Sequence, residues 1–195
     1  MRMIIPGVLG TLLVLGSLPS HANELELMPI APDRVGLTVK KSPVLYFYIS
    51  QATSAPVRFT LVDSRKGRRP MAEVLLPSPA QPGYVAIRLE DYHVVLEEGV
   101  QYQWVVLVDV KPGARGHYDP PVVMGTIERV DPRSIDYDDR PCDKDAVVVF
   151  AKGGLWYDAM ACLNELIEAN PQDPSLCRMR SALLKEVGLI LPTAN

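Results

Sequence analysis

The sequence predicts a mostly-β chain with an α tail: a seven-stranded antiparallel sandwich followed by a C-terminal helical hairpin. Four observations predict it. From residue 35 to residue 130 apolar side chains alternate with polar ones in short runs, the period of a strand half-buried in a sheet. Each run is closed by Pro, Gly or a charged cluster. The connections are shorter than the dozen or more residues that parallel neighbours need. Beyond residue 143 the apolar spacing changes to that of helices.

The chain opens with a cationic Met1-Arg2, an apolar run over 4–18 and Pro19-Ser20-His21-Ala22. The run is shorter than the ~20 residues that span a bilayer, and Ser20 and Ala22 are small at the positions a signal peptidase reads. Residues 1–22 are therefore predicted to be a signal peptide cleaved after Ala22. The remainder is expected to be soluble and exported across a bacterial inner membrane, periplasmic or extracellular, with no later membrane span and no cysteine at the cut for a lipid anchor. Residues 23–34 read as an N-terminal extension.

Removing that leader from the 195 residues takes away one cation, Arg2, and leaves 19 Lys and Arg against 23 Asp and Glu. A net negative chain is a poor partner for nucleic acid. The full chain is 48% hydrophobic, enough for a packed core, and most of its 18 prolines fall between the apolar runs, as turns require.

The strands are predicted at 35–39, 44–50, 57–63, 71–76, 84–89, 101–110 and 122–130. The tip Arg65-Lys66-Gly67-Arg68-Arg69 is a charged hairpin end, and the connection over 77–83 is proline-rich. In Leu96-x-x-Gly99-x-x-Tyr102-x-Trp104 a tyrosine enters a long strand just after a glycine turn. This resembles the tyrosine corner of immunoglobulin and fibronectin type III domains, in which the phenol bonds backbone a few residues upstream. Gly99, Tyr102 and Trp104 are accordingly assigned structural roles, with Trp104 at the core centre. Tyr46 and Tyr48, and Val105 and Leu107, leave the opposite strand faces unusually apolar, so a cover is expected from the helical tail.

Residues 131–142 read as a linker and 143–189 as the tail, with 190–195 disordered. Helices are predicted at 143–152, 155–169 and 175–187, with Asp173 as N-cap, Pro174 in the first turn and Gly188 as C-cap. Gly154, Ala159, Leu163, Leu166 and Pro171 resemble the latter half of a tetratricopeptide repeat, in which Gly154 and Ala159 serve close helix contact. One such unit does not bury its own face, so it should dock.

Gly36-Leu37-Thr38, Ser42-Pro43-Val44-Leu45-Tyr46-Phe47-Tyr48, the Leu96/Gly99/Tyr102/Trp104 set, Gly125 with Arg129-Val130, and Gly154-Leu155-Trp156-Tyr157-Asp158-Ala159 together resemble an uncharacterised bacterial family, domain of unknown function number 928. The resemblance spans 36–189. It implies an exported protein with a β-rich body and helical tail, and it brings no catalytic residues. It also implies a cysteine after the Trp-bearing strand, where this chain has Asp109-Val110.

Chemistry is sparse. His93 and His117 stand in no ligand spacing, and no nucleophile-elbow, Walker or zincin sequence occurs. No cofactor and no metal site is therefore expected. Cys142, Cys162 and Cys177 allow at most one internal disulfide. The acidic residues Asp136, Asp138, Asp139, Asp143 and Asp145 lack the glycine and closing Glu of a calcium loop and read as linker and helix start. The expected role is a non-catalytic envelope protein that binds or scaffolds an envelope partner. Its candidate contacts are Arg115, His117, Tyr118 and Asp119 in the loop before the last strand, and Trp156 and Tyr157, of which one should pack inward and the other face a neighbour. The alternatives are an enzyme acting on cell-wall or glycan material, or a glycan- or lipid-binding module using Arg65, Lys66, Arg68 and Arg69.

Overall fold

A computed structural model describes residues 25–67, 69–110, 120–134 and 140–191. Eight strands precede three helices: β1 Leu27–Pro29, β2 Gly36–Thr38, β3 Val44–Ile49, β4 Val57–Asp63, β5 Pro70–Leu76, β6 Gly83–Arg88, β7 Gln101–Val108 and β8 Val122–Arg129, then α1 Lys144–Lys152, α2 Trp156–Ala169 and α3 Pro174–Glu186. They form a three-stranded sheet in the order β1-β3-β6 and a five-stranded sheet in the order β2-β8-β7-β4-β5.

Two expectations are corrected here. Residues 23–34 are not simply an extension: within them Leu27–Pro29 pairs with β3, and Ile30 and Ala31 are buried. Three residues with a proline at the end are too short for a period-two pattern to register. The topology is also mixed, because β2 runs parallel to β8. The chain between those two strands comprises most of the β body, so the long crossover that parallel neighbours require is supplied by other strands. The other pairings between these named strands are antiparallel.

The alternation seen in the sequence decides what is buried. On β4 and β7 the side chains of Val57, Phe59, Leu61, Tyr102, Trp104, Val106 and Val108 point inward and are fully enclosed. Leu45, Phe47 and Ile49 of β3 meet them from the smaller sheet. Trp104 lies opposite Gly125 in the β7–β8 register, and a Cβ at Gly125 would stand 2.6 Å from the indole and 2.8 Å from the Ala31 methyl. Glycine is what lets the indole lie flat across β8.

Residues on the other face of β3, Tyr46 and Tyr48, are buried too, because α2 packs on β3 and β2. Tyr48 meets Tyr84 of β6 edge to face, with ring centroids 5.7 Å apart, and the Arg180 guanidinium of α3 sits 3.7 Å above the Tyr84 ring. Arg180 also donates to the buried Asn164 of α2 at 2.7 Å. Strands and helices thus share one continuous buried cluster.

Local chemistry sets the helix ends. The Asp143 carboxylate accepts from the Ala146 N–H at 2.7 Å and begins α1; Asp173 accepts from the Ser175 N–H at 2.9 Å and begins α3. Lys144 donates to Asp173 at 2.7 Å and ties those two starts together. Gly154, at φ 75°, makes the turn from α1 into α2, and its carbonyl accepts from the Leu37 N–H of β2. A disulfide between Cys142 and Cys162 fastens the incoming segment to α2, and Cys177 is free and exposed. Among the described residues no helix is long and apolar enough to cross a membrane.

Candidate functional site

Helix α2 enters the body at its N-terminus, and its first three residues are all buried. The Trp156 indole N–H donates to the Ile30 carbonyl at 3.0 Å. The Tyr157 hydroxyl accepts from the Trp104 indole N–H at 2.8 Å and donates to the Thr126 carbonyl at 3.1 Å. The expected division, one ring inward and one facing a neighbour, is corrected: Trp156 is 7% exposed and Tyr157 is 1% exposed. The helix start lies in the groove beside β2, so both directions from it point into protein.

Asp158 follows them and is 5% exposed. Its Oδ2 accepts from the Val39 N–H at 3.2 Å, and the Thr38 hydroxyl also bonds the carboxyl. Its Oδ1 has no hydrogen-bond partner among the described residues. Burial pushes this carboxyl up to about 6, against the bonds from Thr38 and Val39 and the charge of Lys40. The residue lines a cleft of about 320 Å³, with Pro43 and Phe150 as apolar walls, the Cys142–Cys162 bridge alongside, and Lys40, Arg140 and Glu165 also lining it. A buried carboxylate oxygen with no donor is an acceptor left unsatisfied, which adds to the cost of its ionised form. The sequence did carry a mark of it: Asp158 stands on the apolar stripe of α2, one turn before Cys162.

A second surface lies on the larger sheet. The helices cover β3 of the smaller sheet and β2 at one end of the larger, while the outward residues of β5, β7 and β8 lie toward solvent. Leu75 is 63% exposed, Met124 52%, Val122 48% and Met71 41%. Val122 lies opposite Leu107 and Met124 opposite Val105, so these side chains form adjoining rows. At the end of the sheet β5 pairs with β4 on one side and, among the described residues, with no strand on the other. Its outward carboxylate, Glu73, is held by Arg58 at 2.6 Å.

The remaining predicted residues are dispersed. Arg115, His117, Tyr118 and Asp119 lie outside the described residues, as do Arg68 and Asp136, Asp138 and Asp139. At the basic tip two of the cations are already paired. Arg65 donates to both oxygens of Asp63, at 3.1 and 2.8 Å, and to Glu97 at 2.7 Å, while Lys66 stands 3.3 Å from Asp63. The Arg65 bonds hold the Asp63 carboxyl well below the ordinary carboxylate range. Two of the four cations are therefore committed to carboxylates; Arg69 is exposed. Tyr102 is fully buried and its hydroxyl accepts from the Glu97 N–H at 3.0 Å, with Gly99 in the turn between them. Trp104 and Ala159 are fully buried. Asp143 caps α1 and Asp145 lies in its first turn; among the described residues no group of three or more His, Cys, Asp or Glu is placed to hold a metal.

No curated protein matches the chain. One family model does, over residues 16–193, which takes in every strand and helix described above. A match over nearly the whole length settles the relationship: the chain belongs to the family described as Domain of Unknown Function (DUF928).

Proposed function

We propose that this protein is an exported, non-catalytic envelope module that binds another protein by accepting an extended apolar segment beside β5. The observation that carries the reading is the contrast between the two ends of the larger sheet: α2 covers the β2 end, and the other end is the edge strand β5 with Met71 and Leu75 exposed. Exposed edges are ordinarily blunted by free charge, yet the carboxylate on this one is bound to Arg58. Backbone pairing at the edge would supply affinity, and the exposed Met71 and Leu75 side chains of β5 would supply specificity.

The sheet orders are consistent with an immunoglobulin/fibronectin-like sandwich, in which a split first strand contributes to both layers, and the Tyr102 bond to Glu97 is consistent with a tyrosine corner. Export is supported by the leader over 1–22 and by the disulfide, which persists in oxidising compartments. The mature protein then begins at Asn23, and mass spectrometry of the exported form reads this directly.

The binding test is a photo-crosslinking residue placed at Leu75 and, as control, at the exposed Arg178 on α3. One defined polypeptide should be captured from position 75 and not from 178, and lost when Met71→Lys and Leu75→Lys are combined in a chain that melts normally. Equal capture from both positions, or none from 75, sinks the reading.

A further inference from the structure

The outward face of the larger sheet is a surface apart from the β5 edge. Strand pairing sets its side chains in rows across four strands: Leu75, Arg58, Leu107 and Val122 stand abreast, and Glu73, Thr60, Val105 and Met124 form the next row. Apolar side chains predominate. The one cation and one anion among them, Arg58 and Glu73, are 2.6 Å apart and both partly exposed. We propose that this face stacks on the same face of a second copy of the chain, in a two-fold dimer where Arg58 of each copy meets Glu73 of the other.

Charge selects the axis. Arg58 and Glu73 stand one strand and one row apart, so a two-fold axis lying in the plane of contact and passing between them exchanges their places. The same axis runs on between Thr60 and Val105, setting Val105 near its own duplicate and Leu107 toward Met71 of the other copy. Apolar then meets apolar, and the two ion pairs close into a ring of alternating sign. Strands of the two copies cross steeply, as in orthogonal sheet packing. Size agrees with a dimer as well. Four strands spaced by about 4.8 Å, the longest of 8 residues at about 3.4 Å each, make roughly 500 Å² in outline, and side-chain relief brings this near the ~600 Å² per copy at which stable interfaces begin. A lipid surface asks for cations around the apolar side chains, whereas the cation in these rows is tied to a carboxylate. A single extended segment covers one strand's width and leaves the rest wet. Stacking leaves the backbone at the β5 edge open.

The test is sedimentation velocity of the exported, disulfide-intact protein over a range of concentrations. A dimer should form. Met124→Lys, at a 52% exposed position on β8 away from the β5 edge, should weaken it by roughly tenfold or more, because the new charge is buried unpaired in the contact. Arg58→Glu and Glu73→Arg each set like charges across the contact, and each alone should give monomer. An equal mixture of those two variants should recover the dimer, since each charge then faces its opposite in the other copy although not in its own. Normal melting of each variant confirms that the fold is kept. A parent that stays monomeric at every concentration overturns the proposal, as does a dimer that Met124→Lys leaves unchanged or a mixture that stays monomeric. The β5 edge is read independently, by capture of a polypeptide of foreign mass from position 75, which Met124→Lys should leave undiminished.

Discussion

The indole N–H of Trp104 on β7 ends on the hydroxyl of Tyr157 on α2, 2.8 Å away, and that hydroxyl passes its own proton to the Thr126 carbonyl on β8. A single phenol thus joins the centre of the larger sheet to the helical segment. Burial pushes this phenol well above its ordinary range, so it remains a donor at any physiological pH.

Tyr157→Phe keeps the ring and removes both bonds, leaving the Trp104 N–H buried without an acceptor. The expected loss is about 1–3 kcal/mol in urea unfolding. Tryptophan fluorescence and helical circular dichroism should still report one coincident transition; separate transitions would show that sheet and helices unfold independently.

At Gly125 the smallest possible addition is a clash. A Cβ would press on the Trp104 ring and on Ala31 at once, and neither is a flexible chain end. Gly125→Ala should cost about 1–3 kcal/mol by overpacking, measured as a lower denaturation midpoint with an unchanged slope.

Acid should act in two opposite windows. The Asp158 carboxyl lies at about 6 in the folded chain against an ordinary 3.8, so between those values the folded state holds a proton that the unfolded state has released. Stability from this group is therefore gained as pH falls from 6 toward 4, by up to about 3 kcal/mol. Asp63, Asp131 and Asp173 are shifted the other way by Arg65, Arg133 and Lys144, and their contribution is lost only as pH falls below the ordinary carboxylate range. Asp158→Asn should abolish the gain between pH 6 and 4 and leave the acid loss in place; parallel profiles in both proteins would refute the assignment.

The disulfide closes a sequence separation of 20 residues. Replacing Cys142 and Cys162 together by serine should destabilise the chain by about 3 kcal/mol in the loop-entropy description. Thiol labelling of the native parent should modify Cys177 alone.

Elements with strong periodicity were legible in the sequence. The strands over 57–63 and 101–108, and the caps Asp143 and Asp173, declare themselves because alternation and capping are local rules. Leu27–Pro29 escaped because three residues carry no period, and the parallel partner of Gly36–Thr38 escaped because register is a tertiary choice. At the sites the failure was of another kind. Arg65 and Lys66 looked like free charge because their carboxylates come from Asp63 and from the distant Glu97. Trp156 and Tyr157 read as divided between inside and outside because adjacent helical positions point apart, and only the fold supplies the groove that receives both. Asp158 was visible as a carboxylate on an apolar stripe, but its unpaired oxygen exists only in three dimensions.

The parallel seam between Gly36–Thr38 and Ile127–Arg129 joins nearly opposite ends of the β body, and Tyr157 is threaded in behind it. A chain emerging in order from its N-terminus cannot close that seam until the last strand has arrived, and cannot lock it until the helices follow. Assembly is therefore back-loaded: early segments must wait, half-wetted, for late ones, and high contact order of this kind slows folding. Shortened products ending before residue 156 should accumulate as collapsed, protease-sensitive intermediates.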